Sequence, residues 1–377
     1  MSKLLELLQR IETPSRNIFE MPAPVLPPEA PPAEDLLQAE EPDEAVDIET
    51  RLIPIASGKG GVGKTNVSVN MAIALADRLR ERGTLERVIL VDCDFGLPNA
   101  DLLLQTRIER NIDDFVSKRI ETLAEAVSPT GVPNLFFLSG AATPSLTLSN
   151  LQYQQRRKFL RNLRSLRARY ILLDLGASVH LEVLDFFSMV NAGVVVTNPE
   201  PTAMRDSFLF LRATLLRKIR QECRDFPEII DRLDRLEAGT LEIPSVPGLL
   251  AEIQKTGLLV EYKSLKTLLD SFRPKLVMNR AEEFNEGLEA ARRMRDEARR
   301  ELGVDIAYLG PIMADPCVVR AVKESAPFLR RFPESDAAHW IRNLAQRVEE
   351  NSDFEIERNY FSFGSYLKRL FGGARAQ

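Results

Sequence analysis

The stretch Gly58-Lys59-Gly60-Gly61-Val62-Gly63-Lys64-Thr65 decides how the rest of the chain is read. It has the form G-x-x-x-x-G-K-[ST], follows an apolar run at 52–56, and leads into a helix predicted over 65–80. In that context the glycines let backbone N–H groups wrap phosphate oxygens, and the helix N-terminus adds its dipole. Lys64 is placed to reach the β- and γ-phosphates, and Thr65 to offer its hydroxyl to Mg2+. A Gly-rich turn without a ligand is the plain alternative, and the downstream carboxylates count against it.

Working outward, short apolar runs recur at 52–56, 88–91, 135–138, 170–173, 193–197, 275–278 and 306–310, separated by stretches of helical pattern. Unbroken apolar runs of that length read as strands covered on both faces, and the intervals as crossover helices. The expectation is an α/β fold, a mostly parallel twisted sheet with helices on both faces. Between 208 and 272 the alternation breaks. Residues 205–236 and 246–271 look helical and no strand is evident, so a helical insertion on the sheet is expected there.

Carboxylates close two of the runs. Val88-Ile89-Leu90-Val91-Asp92-Cys93-Asp94 ends in two, and Ile171-Leu172-Leu173-Asp174-Leu175-Gly176 carries one. Ligand-binding groups gather at the carboxyl ends of strands in such sheets, where carboxylates suit a hydrated Mg2+ or an attacking water. A single Asp at a strand end is commonly a cap or turn residue; three following this loop are harder to set aside.

With Lys59 in addition to Lys64, the loop resembles that of the MinD/ParA group of deviant Walker A P-loop ATPases, which includes FlhG, a flagellar-number regulator. The resemblance covers roughly 51–327, apart from the insertion. Asp92-Cys93-Asp94-Phe95-Gly96-Leu97-Pro98-Asn99-Ala100-Asp101 is similar to the group's switch I, and Asp174-Leu175-Gly176-Ala177-Ser178 to its switch II. Asn198-Pro199-Glu200-Pro201-Thr202-Ala203 resembles the strand-end loop that follows in MinD-like members. The resemblance implies ATP and Mg2+ as ligands, Gly58 to Asn66 as the nucleotide loop, and Lys59 reaching across a homodimer to the partner's nucleotide. It implies Asp94 orienting the hydrolytic water, and Asp92 and Asp174 supporting Mg2+ with Thr65. Asn279, Arg280 and Pro311 fall where relatives contact the adenine. Gly-Ala-Ser after Leu175 departs from the MinD pattern of Pro-Ala-Gly after the aspartate, which leaves hydrolysis rate and effector response open.

The ends differ from the middle. Residues 1–14 carry Leu4, Leu5, Leu8 and Ile11 at helical spacing, a short amphipathic helix that either packs on the body or recruits a protein partner. Residues 15–50 are rich in Pro, Asp and Glu, the composition of a flexible linker. The ATPase domain is expected over 51–350 and a tail over 351–377. There Phe363, Tyr366, Leu367, Leu370 and Phe371 share one helical face beside Lys368 and Arg369. That face suits an anionic membrane surface, and the tail is also similar to the membrane-targeting helix of MinD. A docked terminal helix is the other reading.

Composition bounds the rest. The 377 residues, 44% hydrophobic, can bury a full core. The formal net charge of -5 argues against coating nucleic acid through overall charge. Cys93, Cys223 and Cys317 form no CxxC, so neither a zinc nor an iron–sulfur clip is indicated, and a reducing, cytoplasmic setting is expected. The leading expectation is a slow ATPase acting as a dimeric positioning switch, peripheral to the inner face of the membrane. A DNA-binding partition ATPase using Arg156, Arg157, Lys158, Arg161 and Arg164, and a nucleotide-bound scaffold with little hydrolysis, are the alternatives.

Overall fold

In a computed structural model, residues 49–94, 99–140, 153–177 and 179–354 are described, the side chains of 153–158 excepted. The expected amphipathic helix at 1–14, nearly all of the linker, the tail beyond 354, and Phe95, Gly96, Leu97, Pro98 and Ser178 lie outside them. The apolar runs become strands β1 (Arg51–Ala56), β2 (Val88–Cys93), β3 (Val127–Pro129), β4 (Leu135–Leu138), β5 (Tyr170–Leu175), β6 (Val194–Thr197), β7 (Lys275–Ala281) and β8 (Ala307–Met313). They form one sheet in the order β3-β4-β2-β5-β1-β6-β7-β8. Every neighbouring pair is parallel except β3 and β4. β2 and β5 are buried at every position, which is why they read as continuous apolar runs.

β3 was not expected from the sequence. It has three residues, ends in Pro129, and pairs antiparallel at the sheet edge, so it needs neither an apolar run nor a crossover helix. β1 lies between β5 and β6, the point where the progression of strands reverses. In parallel sheets that reversal opens a crevice at the carboxyl ends of the strands.

Helices α1 (Lys64–Glu81), α2 (Ala100–Leu104), α3 (Ile112–Val116), α4 (Tyr153–Arg164), α5 (Leu181–Ser188) and α6 (Pro201–Glu222) lie between β1 and β7, two of them after β2 and none between β3 and β4. Beyond α6 come α7 (Pro227–Glu237), α8 (Val246–Lys255) and α9 (Leu259–Ser271), then α10 (Phe284–Glu297), α11 (Pro316–Lys323), α12 (Phe328–Arg331) and α13 (Asp336–Glu350). The region 208–272 is helical, with breaks that have local causes. Pro227 at the first turn of α7 ends any continuation from α6, and Ser245 caps α8 by accepting from the Gly248 N–H at 3.1 Å. Ile229, Leu233, Leu249, Ile253, Leu265 and Phe272 are fully buried there and join the same core as the sheet. The helical segment therefore extends the core.

One packing contact bears on the site. Asp185 of α5 is fully buried and accepts from Arg217 of α6 at 2.7 and 3.2 Å and from Gln221 at 2.6 Å. Lys218 donates to the Ser188 carbonyl at 2.9 Å, satisfying the C-terminus of α5. Phe187 and Phe210 meet edge to face at 5.1 Å beside this lock. Breaking a buried, bidentate ion pair of this kind costs about 3–5 kcal/mol, so the two helices are held as one body. Among the described residues, no helix is long and apolar enough to cross a membrane.

Candidate functional site: the nucleotide loop

The loop joins the end of β1 to the start of α1. Gly61 and Gly63 have φ of 81° and 90°, conformations that L side chains rarely adopt, and Gly63 is the N-cap of α1. A Cβ at Gly60 or Gly61 would meet nothing within 4 Å, so this side of the loop faces open space. Gly58 is the opposite case. A Cβ there would lie 2.2 Å from the backbone of Asp206, because the first turns of α6 pack directly on the loop.

Lys64 opens α1 and is buried, its Nζ 2.7 Å from Asp174 Oδ1. Ser68, one turn further along α1, donates to the same oxygen at 2.7 Å. The second oxygen, Asp174 Oδ2, is buried without a hydrogen-bond partner. β2 and β5 are paired in register, so Asp92 and Asp174 lie side by side. Asp92 Oδ1 accepts from the Asp94 N–H at 3.0 Å, and Oδ2 from Asn99 and Ala100, both at 3.2 Å. Burial, and then the neighbouring charge of Asp174, push its carboxyl up to about 7 against the pull of those backbone bonds. Asp92 thus ties the start of α2 to the end of β2. Asp94 is half-buried, its Oδ1 3.6 Å from where a Cβ on Gly176 would stand. Thr65 is half-buried at the head of α1, its hydroxyl 3.4 Å from Lys64 Nζ. The structure therefore gathers Lys64, Thr65, Asp92, Asp94 and Asp174 at one end of the sheet.

Lys59 differs from Lys64. It is exposed on the rim, its Nζ 3.2 Å from the hydroxyl of Thr202 on α6. The three residues expected at the base take separate positions. Asn279 is buried and donates from Nδ2 to the Val62 carbonyl at 2.7 Å, bracing the loop from beneath. Asn198, with its amide turned to donate, reaches the same carbonyl at 3.2 Å. Arg280 is exposed with φ 56°, and Pro311 is buried, 3.3 Å from where a Cβ on Gly287 of α10 would stand. The Asn66 side-chain oxygen is buried without a partner. Sequence reasoning passed over Ser68 and Asp206, and gave Asn198 no role beyond its place in the strand-end loop. Ser68 had a signal, since i and i+4 share a helical face with Lys64.

The brace makes a prediction. Asn279→Ala removes the bond to Val62 and is expected to weaken nucleotide binding about tenfold. Because the brace acts through the loop backbone, affinity for tripolyphosphate, which has no base, should fall by the same factor in calorimetry. A loss restricted to ATP would return Asn279 to the base-contact role.

A phosphate-cradling loop at the reversal point of a parallel sheet, with a buried lysine and strand-end carboxylates beside it, defines a P-loop nucleotide-binding protein. The chain belongs to the CobQ/CobB/MinD/ParA nucleotide binding domain family, whose model matches residues 53–328. The antiactivator FleN of Pseudomonas aeruginosa is 26% identical over 300 residues, 79% of this chain and 86% of FleN. The septum site-determining protein MinD of Synechocystis is 33% identical over 159 residues, 42% of this chain and 56% of that protein. The solved MinD of Pyrococcus horikoshii, complexed with Mg-ADP, superposes with a TM-score of 0.54 at 21% identity, covering 80% of this chain and 97% of that one. At that identity the likeness speaks for the fold. Among the described residues no cluster of three or more His, Cys, Asp or Glu could hold a metal by itself.

Proposed function

We propose that this protein binds ATP with Mg2+, hydrolyses it slowly, and works as a dimeric switch at a membrane surface. The observation that carries the reading is the division of labour between two lysines on one loop. Lys64 is buried on Asp174, whereas Lys59 is exposed on the rim and held by a neutral hydroxyl. A lysine so placed is available to a nucleotide presented by a second copy.

The residues fit Mg2+ held with a nucleotide. Thr65 offers a hydroxyl, the orphaned Asp174 Oδ2 offers a buried anionic oxygen, and a cation with few protein ligands and several waters suits a site lacking a larger cluster. When bound, the ion supplies charge neutralisation at the phosphate oxygens. The open side of Gly60 and Gly61 presents backbone N–H groups to the phosphates. Lys64 exchanges Asp174 for phosphate oxygen, and Ser68 keeps the carboxylate in place. Asp94, beside the switch-like glycine Gly176, orients the attacking water.

The tail at 359–373, outside the described residues, supplies the membrane contact, and two tails on one dimer bind far better than one. The segment at 1–14 recruits a protein partner. The long FleN alignment favours a target that is itself a regulatory protein, held in the manner of an antiactivator.

Lys59→Ala tests the reading. With a non-hydrolysable ATP analogue, the wild-type chain should run as a dimer in light scattering and sediment with anionic liposomes. The variant should bind the analogue, stay monomeric and stay in the supernatant. A variant that dimerises as well as the wild type would overturn the role of Lys59; a wild-type dimer that ignores liposomes would overturn the membrane reading alone.

A further inference from the structure

Away from the nucleotide loop, at the amino ends of the strands, a cavity of about 520 Å3 opens beside the first residues of β1 and β5, residues 190–192 and the end of α13. That is within the range of small-molecule sites. Arg51, Arg164 and Arg169 line it. Arg51 donates to the Val348 carbonyl and, at 3.3 Å, to Asn351 Oδ1. The same amide oxygen accepts from Lys275 Nζ at 2.9 Å. Two largely buried cations thus share one neutral acceptor. Burial lowers the Arg51 guanidinium, and burial with the Arg51 charge takes the Lys275 ammonium down to about 8.

Cations outnumber carboxylates around the cavity. Of the two carboxylates in the wall, Glu349 is held by Arg78 at 2.6 Å and Arg82 at 2.7 Å, which leaves Glu49. The C-terminus of α13 contributes about half a negative charge. Asp353 also acts on Lys275, though it is bonded to Arg273 at 3.3 Å; with Glu49 and the helix end it still falls short of Arg51, Lys275, Arg164 and Arg169 together. Val190 and Ala192 give the cavity a partly apolar wall suited to the organic part of a ligand.

We propose that this cavity is a second ligand site, separate from the nucleotide loop, for a phosphate-bearing small molecule up to the size of a nucleotide. Arg51 and Arg169 hold the phosphate from the wall, and Lys275, which reaches that wall only through Asn351, adds its charge from behind.

The test uses the full chain saturated with ADP, which occupies the nucleotide loop, titrated calorimetrically with inorganic pyrophosphate at constant free Mg2+. One further binding event is expected, weakening as salt rises. In Arg51→Gln combined with Lys275→Gln it should weaken by about tenfold or more, with ADP affinity unchanged. Should that double variant fail to fold, as read by circular dichroism, Arg169→Gln reports the same loss from a partly exposed position. Absence of the second event, or equal affinity in the variants, overturns the assignment. So does binding that emerges only after Glu44, Asp47 and Glu49 are neutralised together, which would give the cavity to the chain's own acidic segment.

Discussion

Lys64→Ala is expected to lower the stability of the nucleotide-free protein by about 3–5 kcal/mol, besides slowing the proposed hydrolysis. The reason lies in the pair: Lys64 and Asp174 are 6% and 1% exposed, and the ammonium is the cation bonded to that carboxylate. Removing it leaves an anion with one hydroxyl, Ser68, and an unpartnered second oxygen. Urea unfolding should give the loss, and Asp174→Asn added to Lys64→Ala should recover most of it, because the uncompensated charge is gone. Hydrolysis should fall about 10²–10³-fold or more, the scale for losing a preorganised transition-state donor. Equal stability of Lys64→Ala and wild type would mean that the carboxylate finds solvent when the lysine leaves.

The second large effect belongs to a residue without a side chain. In Gly58→Ala the new methyl would stand 2.2 Å from the Asp206 carbonyl carbon and oxygen and 2.3 Å from the Ser207 nitrogen. These are backbone atoms of α6, so no rotamer relieves the contact. Helix and loop must separate, at about 1–3 kcal/mol or more, and nucleotide affinity should fall with the displaced loop. Gly60→Ala is the control. Its methyl enters open space, and thermal unfolding without nucleotide should stay within about 0.5 kcal/mol of wild type. If the two variants unfold alike, α6 does not brace the loop.

The sheet was legible because parallel strands buried on both faces leave apolar runs, and the runs before Gly58, Asp92 and Asp174 are such strands. The loop was legible because its glycines and Lys64 follow from backbone geometry and charge. What could not be read depended on neighbours distant in sequence. The side-by-side placement of Asp92 and Asp174 comes from β5 lying next to β2, which strand patterns do not order. Asn279 as a brace for Val62 depends on a contact 217 residues away in sequence. β3 escaped because a three-residue edge strand has too few positions to show a period. Residues 205–236 read as one helical stretch, although Pro227 stands where α6 and α7 part, and the role of Asp185 depends on a partner helix that its own segment does not show.

The Asp185 lock has a genetic consequence. α5 follows the strand that carries Asp174, α6 rests on Gly58, and the lock joins the two. A substitution at Arg217 leaves every residue of the motif intact, yet removes the guanidinium from the buried Asp185 where the helix that leads from Asp174 meets the helix that braces the loop. Such an allele would lose stability on the scale of a broken buried ion pair while its signature sequence stays unblemished.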